Sequence, residues 1–280
     1  MKKALKNLKR QTTKINKPKK ISDRLWEDFI NNTIIVLMAG GESSRFSEVA
    51  KGSSVNKNAF ILPNGDSMIE MAIKMYKSAG FVHFVASVFH GSDSIEKVLG
   101  DGSKFGVHIR YSYDPKIPVG KGGAIKNALI NGSIPKDHYC IIHNPDDVIV
   151  DFNGSFPRHI VEGHLLDKKH KTLATVVVVE ETPYAYTGMK VVDNVVTQIE
   201  MYPLIPIPTH IGVTVLSPEV YRYFDRHFDL NKKSDFESVL FPILAKQKKL
   251  AAVSIPNNCW IAVNNAKSYK ELIKRLNGSN

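Results

Sequence analysis

The stretch Thr33-Ile34-Ile35-Val36-Leu37-Met38-Ala39-Gly40-Gly41-Glu42-Ser43-Ser44-Arg45-Phe46 passes from an unbroken apolar or β-branched run into a small-residue loop that ends on a cation. A run without polar alternation reads as a strand buried on both faces, and the glycines that follow break it. A loop without bulky side chains at the end of such a strand lets backbone N–H groups close on phosphate oxygens. The Arg45 guanidinium can add a forked, charge-assisted contact worth about 1.5–3 kcal/mol. Phosphate binding is the reading, against the plainer one of a strand-to-helix turn with a solvent-facing Arg45. No G-x-G-x-x-G follows this strand and no G-x-x-x-x-G-K-[ST] occurs in the chain, which removes most support for a dinucleotide oxidoreductase.

Outward from that strand, short apolar runs alternate with helical periods. Met68 to Ser78 reads as a helix stopped by Gly80, Phe81 to Val88 as a strand, and Ser94 to Leu99 as a helix. Strand Val107 to Tyr111, helix Gly123 to Leu129 and strand Tyr139 to His143 follow. Consecutive βα units need right-handed crossovers and favour a parallel sheet covered by helices. The second half adds a helix near 154–169, strand Leu173 to Val179, and a hairpin of Met189 to Val192 and Val195 to Glu200 around Asp193-Asn194. Strand Thr209 to Leu216, helices near 218–224 and 235–247, strands Leu250 to Ile255 and Trp260 to Val263, and helix Ala266 to Leu276 end the chain. The expectation is an α/β, Rossmann-like three-layer sandwich with a mixed, mostly parallel central sheet. Residues 25–280 form a single domain without internal repeat or linker.

The 280 residues are 43% hydrophobic and 23% charged, enough apolar material for a soluble globule. No apolar run reaches the roughly 18–20 residues that a membrane span needs, and no signal-type core follows the basic start. Cys140 and Cys259 are the only cysteines, too few for a disulfide framework or a four-ligand zinc site, and a reducing cytoplasm is the expected location. The net charge of +11 is concentrated: residues 1–24 hold ten Lys or Arg against Asp23, leaving +2 for the remainder. That basic segment reads as a flexible, solvated tail, with contact to nucleic acid or an anionic surface as its alternative.

Four segments in order resemble the sugar-phosphate nucleotidyltransferases (NDP-sugar pyrophosphorylases). They are Met38-Ala39-Gly40-Gly41 through Arg45-Phe46; Leu99-Gly100-Asp101-Gly102-Ser103-Lys104-Phe105-Gly106-Val107; Pro118-Val119-Gly120-Lys121-Gly122-Gly123-Ala124; and His210-Ile211-Gly212-Val213-Thr214-Val215. The resemblance spans about residues 33–276 and implies a glycosyltransferase-A-like fold that joins an NTP to a sugar 1-phosphate with Mg²⁺. It places the nucleotide on Ala39, Gly40, Gly41, Gly120, Lys121, Gly122 and Gly123. Asn144-Pro145-Asp146-Asp147, after a central strand, corresponds to the metal segment, so Asp146 is expected to hold Mg²⁺, with Asp147 as the second candidate, assigned to substrate. Arg45, Lys57 and Asp146 are the expected catalytic residues, and Gly188 and Glu200 join Asp147 on the sugar side. A homo-oligomer is a further possibility.

The resemblance is imperfect at four places, one of them Lys121, a cation where the family usually has a Thr. Ungapped counting from Met68-Ile69-Glu70 puts Asn58 where the family has its phosphate-binding Lys; one gap restores Lys57, which is preferred because it keeps the charge, and Lys51 is the fallback. Met201 stands where the sugar-phosphate lysine belongs, and Ala262 where many members carry a second metal-binding Asp. Both departures keep open a catalytically weak or inactive nucleotide-sugar-binding regulatory homologue. His143 and His210 read as structural residues near the crevice. No H-E-x-x-H or G-x-S-x-G offers a rival catalytic set.

Overall fold

The computed structural model describes residues 2–42, 46, 49, 55–165 and 171–278. In chain order the elements are α1 (Lys2–Thr12), α2 (Asp23–Asn31), β1 (Thr33–Met38), α3 (Met68–Ser78), β2 (His83–Val88), α4 (Ser92–Leu99) and β3 (His108–Tyr113). Next come α5 (Gly120–Ile130), β4 (Tyr139–His143), β5 (Asp147–Ile149), α6 (Phe156–Leu165), β6 (Ala174–Val179), β7 (Thr182–Pro183), β8 (Thr187–Val192) and β9 (Val195–Met201). The chain ends with β10 (Leu204–Ile205), β11 (Thr209–Leu216), α7 (Tyr221–His227), α8 (Phe236–Lys246), β12 (Leu250–Ile255), β13 (Trp260–Ala262) and α9 (Ala266–Asn277).

Among the described residues, seven strands form one sheet in the order β12-β6-β11-β4-β1-β2-β3. Only β11 runs against its neighbours; β12–β6, β4–β1, β1–β2 and β2–β3 pair in parallel. Strand β1 shows why the apolar run lies at the centre. Ile35 and Leu37 face a core formed with Phe29 of α2, Ile73 of α3 and Ile160 of α6. Ile34 and Val36 face the opposite core, built with Ile125 of α5, Phe224 of α7 and Leu240 of α8. Alternation of side chains along the strand feeds both layers, and the helix–sheet–helix sandwich is the expected one. A third cluster, with Phe46, Met68, Val148, Ile261 and Leu272, holds α9 and the β5–β13 pair against the carboxyl ends of the strands.

Local chemistry sets the element ends. Helix α3 starts in a reciprocal cap in which Ser67 and Glu70 each accept the other's backbone N–H. It stops at Gly80, which has φ +102°. The β8–β9 hairpin turns on Asp193 and Asn194, both at positive φ (47° and 63°), the geometry of a two-residue turn whose twist matches the strands.

The amino-terminal segment differs from its reading as a flexible tail. Residues Lys2–Thr12 form α1, which touches the body: Lys9 pairs with Glu180 and Glu181 at 3.3 and 3.6 Å, and the Thr12 hydroxyl lies 2.8 Å from the Pro206 carbonyl. The Ala4, Leu5 and Leu8 spacing on one side of the segment supplies the apolar stripe that charge counting passed over. A domain start at residue 25 also falls inside α2. Ile21 is already in the core, and Ser22 caps α2 by accepting the Leu25 N–H. Among the described residues no helix is long and apolar enough to cross a membrane.

Candidate active site

The parallel strands β1, β2, β3 and β4 all end on the same side of the sheet, the side where open α/β sheets bind ligands. Their terminal loops enclose a cleft of about 520 Å³, bordered by Gly40 and Gly41 after β1, His90 after β2, Asp114 after β3 and Asp146 after β4. Gly120 and Lys121 at the start of α5 form the facing wall with Lys233 and Asp235.

The small-residue loop is held from below by Asn56. Its side-chain amide reaches the carbonyls of Ala39, Gly41 and His90 at 2.8, 3.3 and 2.9 Å, joining the loops after β1 and β2. Ala39 itself is fully buried, and its N–H goes to the Ser87 carbonyl at 2.8 Å, so it shapes the loop without bordering the cleft. A Cβ on Gly40 would lie 3.4 Å from the Phe89 backbone nitrogen, an ordinary contact, so packing alone does not demand a glycine there. Arg45 and the fallback Lys51 lie outside the described residues.

Across the cleft, Gly120 and Lys121 border the space but Gly122 and Gly123 do not. The N–H groups of Gly122 and Gly123 turn to the Ser234 carbonyl at 3.0 and 3.4 Å. A Cβ on Gly122 would lie 1.9 Å from the Phe228 ring, so this glycine serves helix packing. Lys121 is partly withdrawn: its ammonium contacts Glu237 and lies 5.4 Å from the Phe236 ring centroid. Burial pulls its pKa down, against the opposing pull of Asp235, Asp147 and Asp146. Asp114, which sequence reading passed over, is pushed up by burial while its carboxylate accepts the Val119 N–H at 3.1 Å.

At the end of β4 the structure brings Lys57 and Asp146 together. Their side chains form an ion pair, and the same ammonium donates to the Asn264 amide oxygen at 3.2 Å. The short 3₁₀ turn Lys57–Ala59, capped by Asn56, aims Lys57 inward, whereas neighbouring Asn58 is 4% exposed and borders the cleft with an amide oxygen that has no partner. Asn264 was not found from the sequence. It arrives because the Val263 N–H bonds the Asp146 carbonyl at 2.8 Å, drawing the end of β13 alongside Asp146. The only signal was an Asn just past a short apolar strand. Ala262, where an acid was sought, instead sits opposite Asp147 in the β5–β13 pair.

Asp147 faces away from the cleft's border. Its two oxygens accept from Trp260 Nε1 at 2.9 Å and Asn144 Nδ2 at 3.1 Å, and burial and then the Asp146 charge push its pKa up. Gly212, at φ +73°, leaves the room: a Cβ there would lie 2.0 Å from an Asp147 oxygen. Below, His143 is buried between the Tyr76 hydroxyl and the Asp147 carbonyl at 3.0 and 2.9 Å, with its pKa pulled down to about 4 by burial. His210, also pulled down to about 4 by burial, bonds within its own strand to Val213 and Thr214. Gly188 and Glu200 lie opposite one another in the β8–β9 hairpin, and neither borders the cleft.

Asp146 and Asn264 are the groups fitted to a cation. One ammonium already takes an oxygen from each, and a carboxylate with an amide carbonyl suits Mg²⁺, which commonly uses one or two carboxylates plus substrate phosphates. Among the described residues no three His, Cys, Asp or Glu side chains gather around a common metal position.

Comparison with known proteins agrees with this architecture. The family described as nucleotidyl transferase matches residues 34–278. A Bacillus anthracis protein described as a glucose-1-phosphate thymidylyltransferase, solved with sucrose, is 18% identical with TM-score 0.65, covering 86% of this chain and 94% of its own. A UDP-glucose pyrophosphorylase solved with UDP-glucose is 15% identical with TM-score 0.63, covering 89% and 99%. HddC of Yersinia pseudotuberculosis, solved with GMP-PN, is 18% identical with TM-score 0.61, covering 87% and 99%. A search of curated protein sequences found no match.

Proposed function

The chain belongs to the nucleotidyl transferase family, and on that premise we propose that it joins an NTP to a sugar 1-phosphate to form a nucleotide sugar. A phosphate oxygen of the sugar 1-phosphate attacks the α-phosphorus in line, the bond between the α-phosphorus and its bridging oxygen breaks, and pyrophosphate leaves. The step needs alignment and charge neutralisation more than a covalent nucleophile. What supports the reading is the meeting of Lys57, Asp146 and Asn264 at the open end of β4, across the cleft from Gly120 and beside Gly40 and Gly41.

In this mechanism Lys57 leaves Asp146 for an α-phosphate oxygen and steadies the charge that builds there. The Gly40–Gly41 backbone and the Gly120–Lys121 turn frame the nucleotide, and Arg45 neutralises the departing pyrophosphate. Glu200 on the hairpin takes sugar hydroxyls. Mg²⁺, held by the Asp146 carboxylate and the Asn264 amide oxygen, supplies further charge neutralisation on the phosphates when bound.

The test is pyrophosphate release by purified protein with Mg²⁺, the four common NTPs and a panel of sugar 1-phosphates, compared with Asp146→Ala. Equal release by both proteins removes Asp146 from the mechanism. A second reading is a regulatory homologue that binds nucleotide sugar without turnover. It is favoured by Met201, which leaves a 60% exposed thioether where an ammonium would meet the sugar phosphate. Saturable nucleotide-sugar binding with no pyrophosphate from any substrate pair selects it.

A further inference from the structure

At the opposite end of the sheet, the amino-terminal ends of the strands border a second cavity of about 350 Å³. Its floor is apolar, made by Ile34 and Val85, while His83, His108, Arg110 and His138 stand around it; Phe84, between His83 and Val85, turns its ring to the opposite core. Strand register explains the gathering. In the parallel β2–β3 pair His83 lies opposite His108 and Val85 opposite Arg110, and residues two apart project to the same face. The His83 and His108 rings stack at 5.6 Å between centroids. His138 arrives from the loop before β4, its backbone carbonyl held by the Tyr221 hydroxyl at 2.6 Å.

The basic groups sense one another. Burial, then the charges of His108, Arg110 and His138, pull the His83 pKa down. No Asp or Glu is among the described residues that line the cavity. The acids beside it act from outside: Asp137, 85% exposed on its side chain, lies 2.8 Å from His138 Nδ1, and Asp101 feels the His108 charge. One guanidinium and three imidazoles over an apolar floor, with the Ser133 hydroxyl at the border and no carboxylate among the described lining residues, form a surface rich in hydrogen-bond donors. Such a surface is complementary to an oxyanion attached to an apolar body, with Arg110 supplying the forked contact. A plain structural role does not require three imidazoles and a guanidinium at an open rim. Buried His164, between Thr175 and Ser217 at 2.9 and 3.0 Å, shows what a structural imidazole looks like in this fold.

We propose that this cavity is a second ligand site, separate from the cleft, which binds a phosphate-bearing ligand through Arg110, His83, His108 and His138 and rests its apolar part on Ile34 and Val85. The proposal does not depend on the catalytic reading, because it concerns the other end of the sheet.

The experiment follows the imidazole resonances of the full-length protein during titration with two probes, inorganic phosphate and phenyl phosphate. Saturable shifts of His83, His108 and His138 are expected with both at pH 6. Phenyl phosphate should bind at least tenfold more tightly if the floor is used, and equal affinities would mean that free phosphate itself is the ligand type. Arg110→Ala, on an exposed edge strand, should weaken binding at least tenfold with an unchanged melting temperature, and Arg110→Lys should recover part of it. His108→Gln provides an independent variant if Arg110→Ala misfolds. Shifts that grow linearly without saturation, or binding equal in Arg110→Ala and the unmodified protein, overturn the proposal. Shifts confined to His90, which borders the cleft, do so too.

Discussion

The cleft wall and the β8–β9 hairpin are built on opposite principles. Around the cleft each group is fixed by a second one: Asn56 ties two loops, Ser234 receives the Gly122 and Gly123 amides, and Asn144 and Trp260 hold Asp147. The hairpin carries Met189, Val191, Val195 and Ile199, each more than half exposed, and its conformation rests on its own turn and ladder. A lone two-stranded ribbon is marginal in water. The contrast teaches that the geometry of the cleft is set before any ligand arrives, while the hairpin, proposed to meet the sugar, is left to adjust.

If that contrast holds, the largest losses come from the cleft. Asp146→Ala should lower pyrophosphate release by about 10²–10³-fold, the scale of removing one preorganised electrostatic group. Its melting temperature should stay near that of the unmodified protein, since the side chain lies at the cleft's border. Steady-state rates and a thermal melt check both. Next in size is Gly122→Ala. With its Cβ 1.9 Å from the Phe228 ring, it should cost about 3 kcal/mol or more of stability, read as a shifted urea midpoint. A tolerated Ala would mean that α5 and Phe228 separate easily, and the wall would lose its claim to rigidity.

The next effect is an acid one and also belongs to the cleft. Neutral His143 bridges the Tyr76 hydroxyl and the Asp147 carbonyl, and its pKa falls to about 4 through burial. A native pKa below the unfolded value of roughly 6.5 means that the unfolded chain takes up the proton first. The contribution is complete above about pH 6.5 and is lost as pH falls through about 4, on the order of 3 kcal/mol over that window. Unfolding midpoints at pH 7.5 and 5 should diverge more for the unmodified protein than for His143→Gln. Equal divergence would show that other buried groups, such as His164, carry the acid sensitivity.

Much of this was legible in the sequence, and the reasons are specific. Thr33–Met38 and Leu250–Ile255 are strands at the expected bounds because unbroken apolar runs have few other places to lie. Gly102 and Gly106, in one of the segments that carry the family resemblance, sit at positive φ, a conformation that the sequence reading had not addressed. Helix α2 was missed because Trp26 and Phe29, its two buried residues, are too sparse a stripe beside a basic run. Asp146 was legible as an acid after a central strand and Lys57 only through the family resemblance, but their pairing spans 89 positions and depends on tertiary folding. Asn264 was illegible for the same reason: an uncharged amide becomes a site residue only when β13 is drawn to Asp146.

The smallest expected effect is the sharpest probe of the contrast, because one substitution can be made in both regions. Val36 in β1 is 0% exposed and Val191 in β8 is 57% exposed. Val→Thr keeps the branched shape and adds a hydroxyl. At Val36 that hydroxyl is buried, with an expected cost of about 1–3 kcal/mol. At Val191 it meets water, and the change should stay within about 0.5 kcal/mol. Urea midpoints of the two variants give the comparison directly. A cost at Val191 approaching that at Val36 would mean that this face of the hairpin is covered in solution. A midpoint that rose with protein concentration would then identify the cover as a second copy of the chain, since only association makes apparent stability depend on concentration.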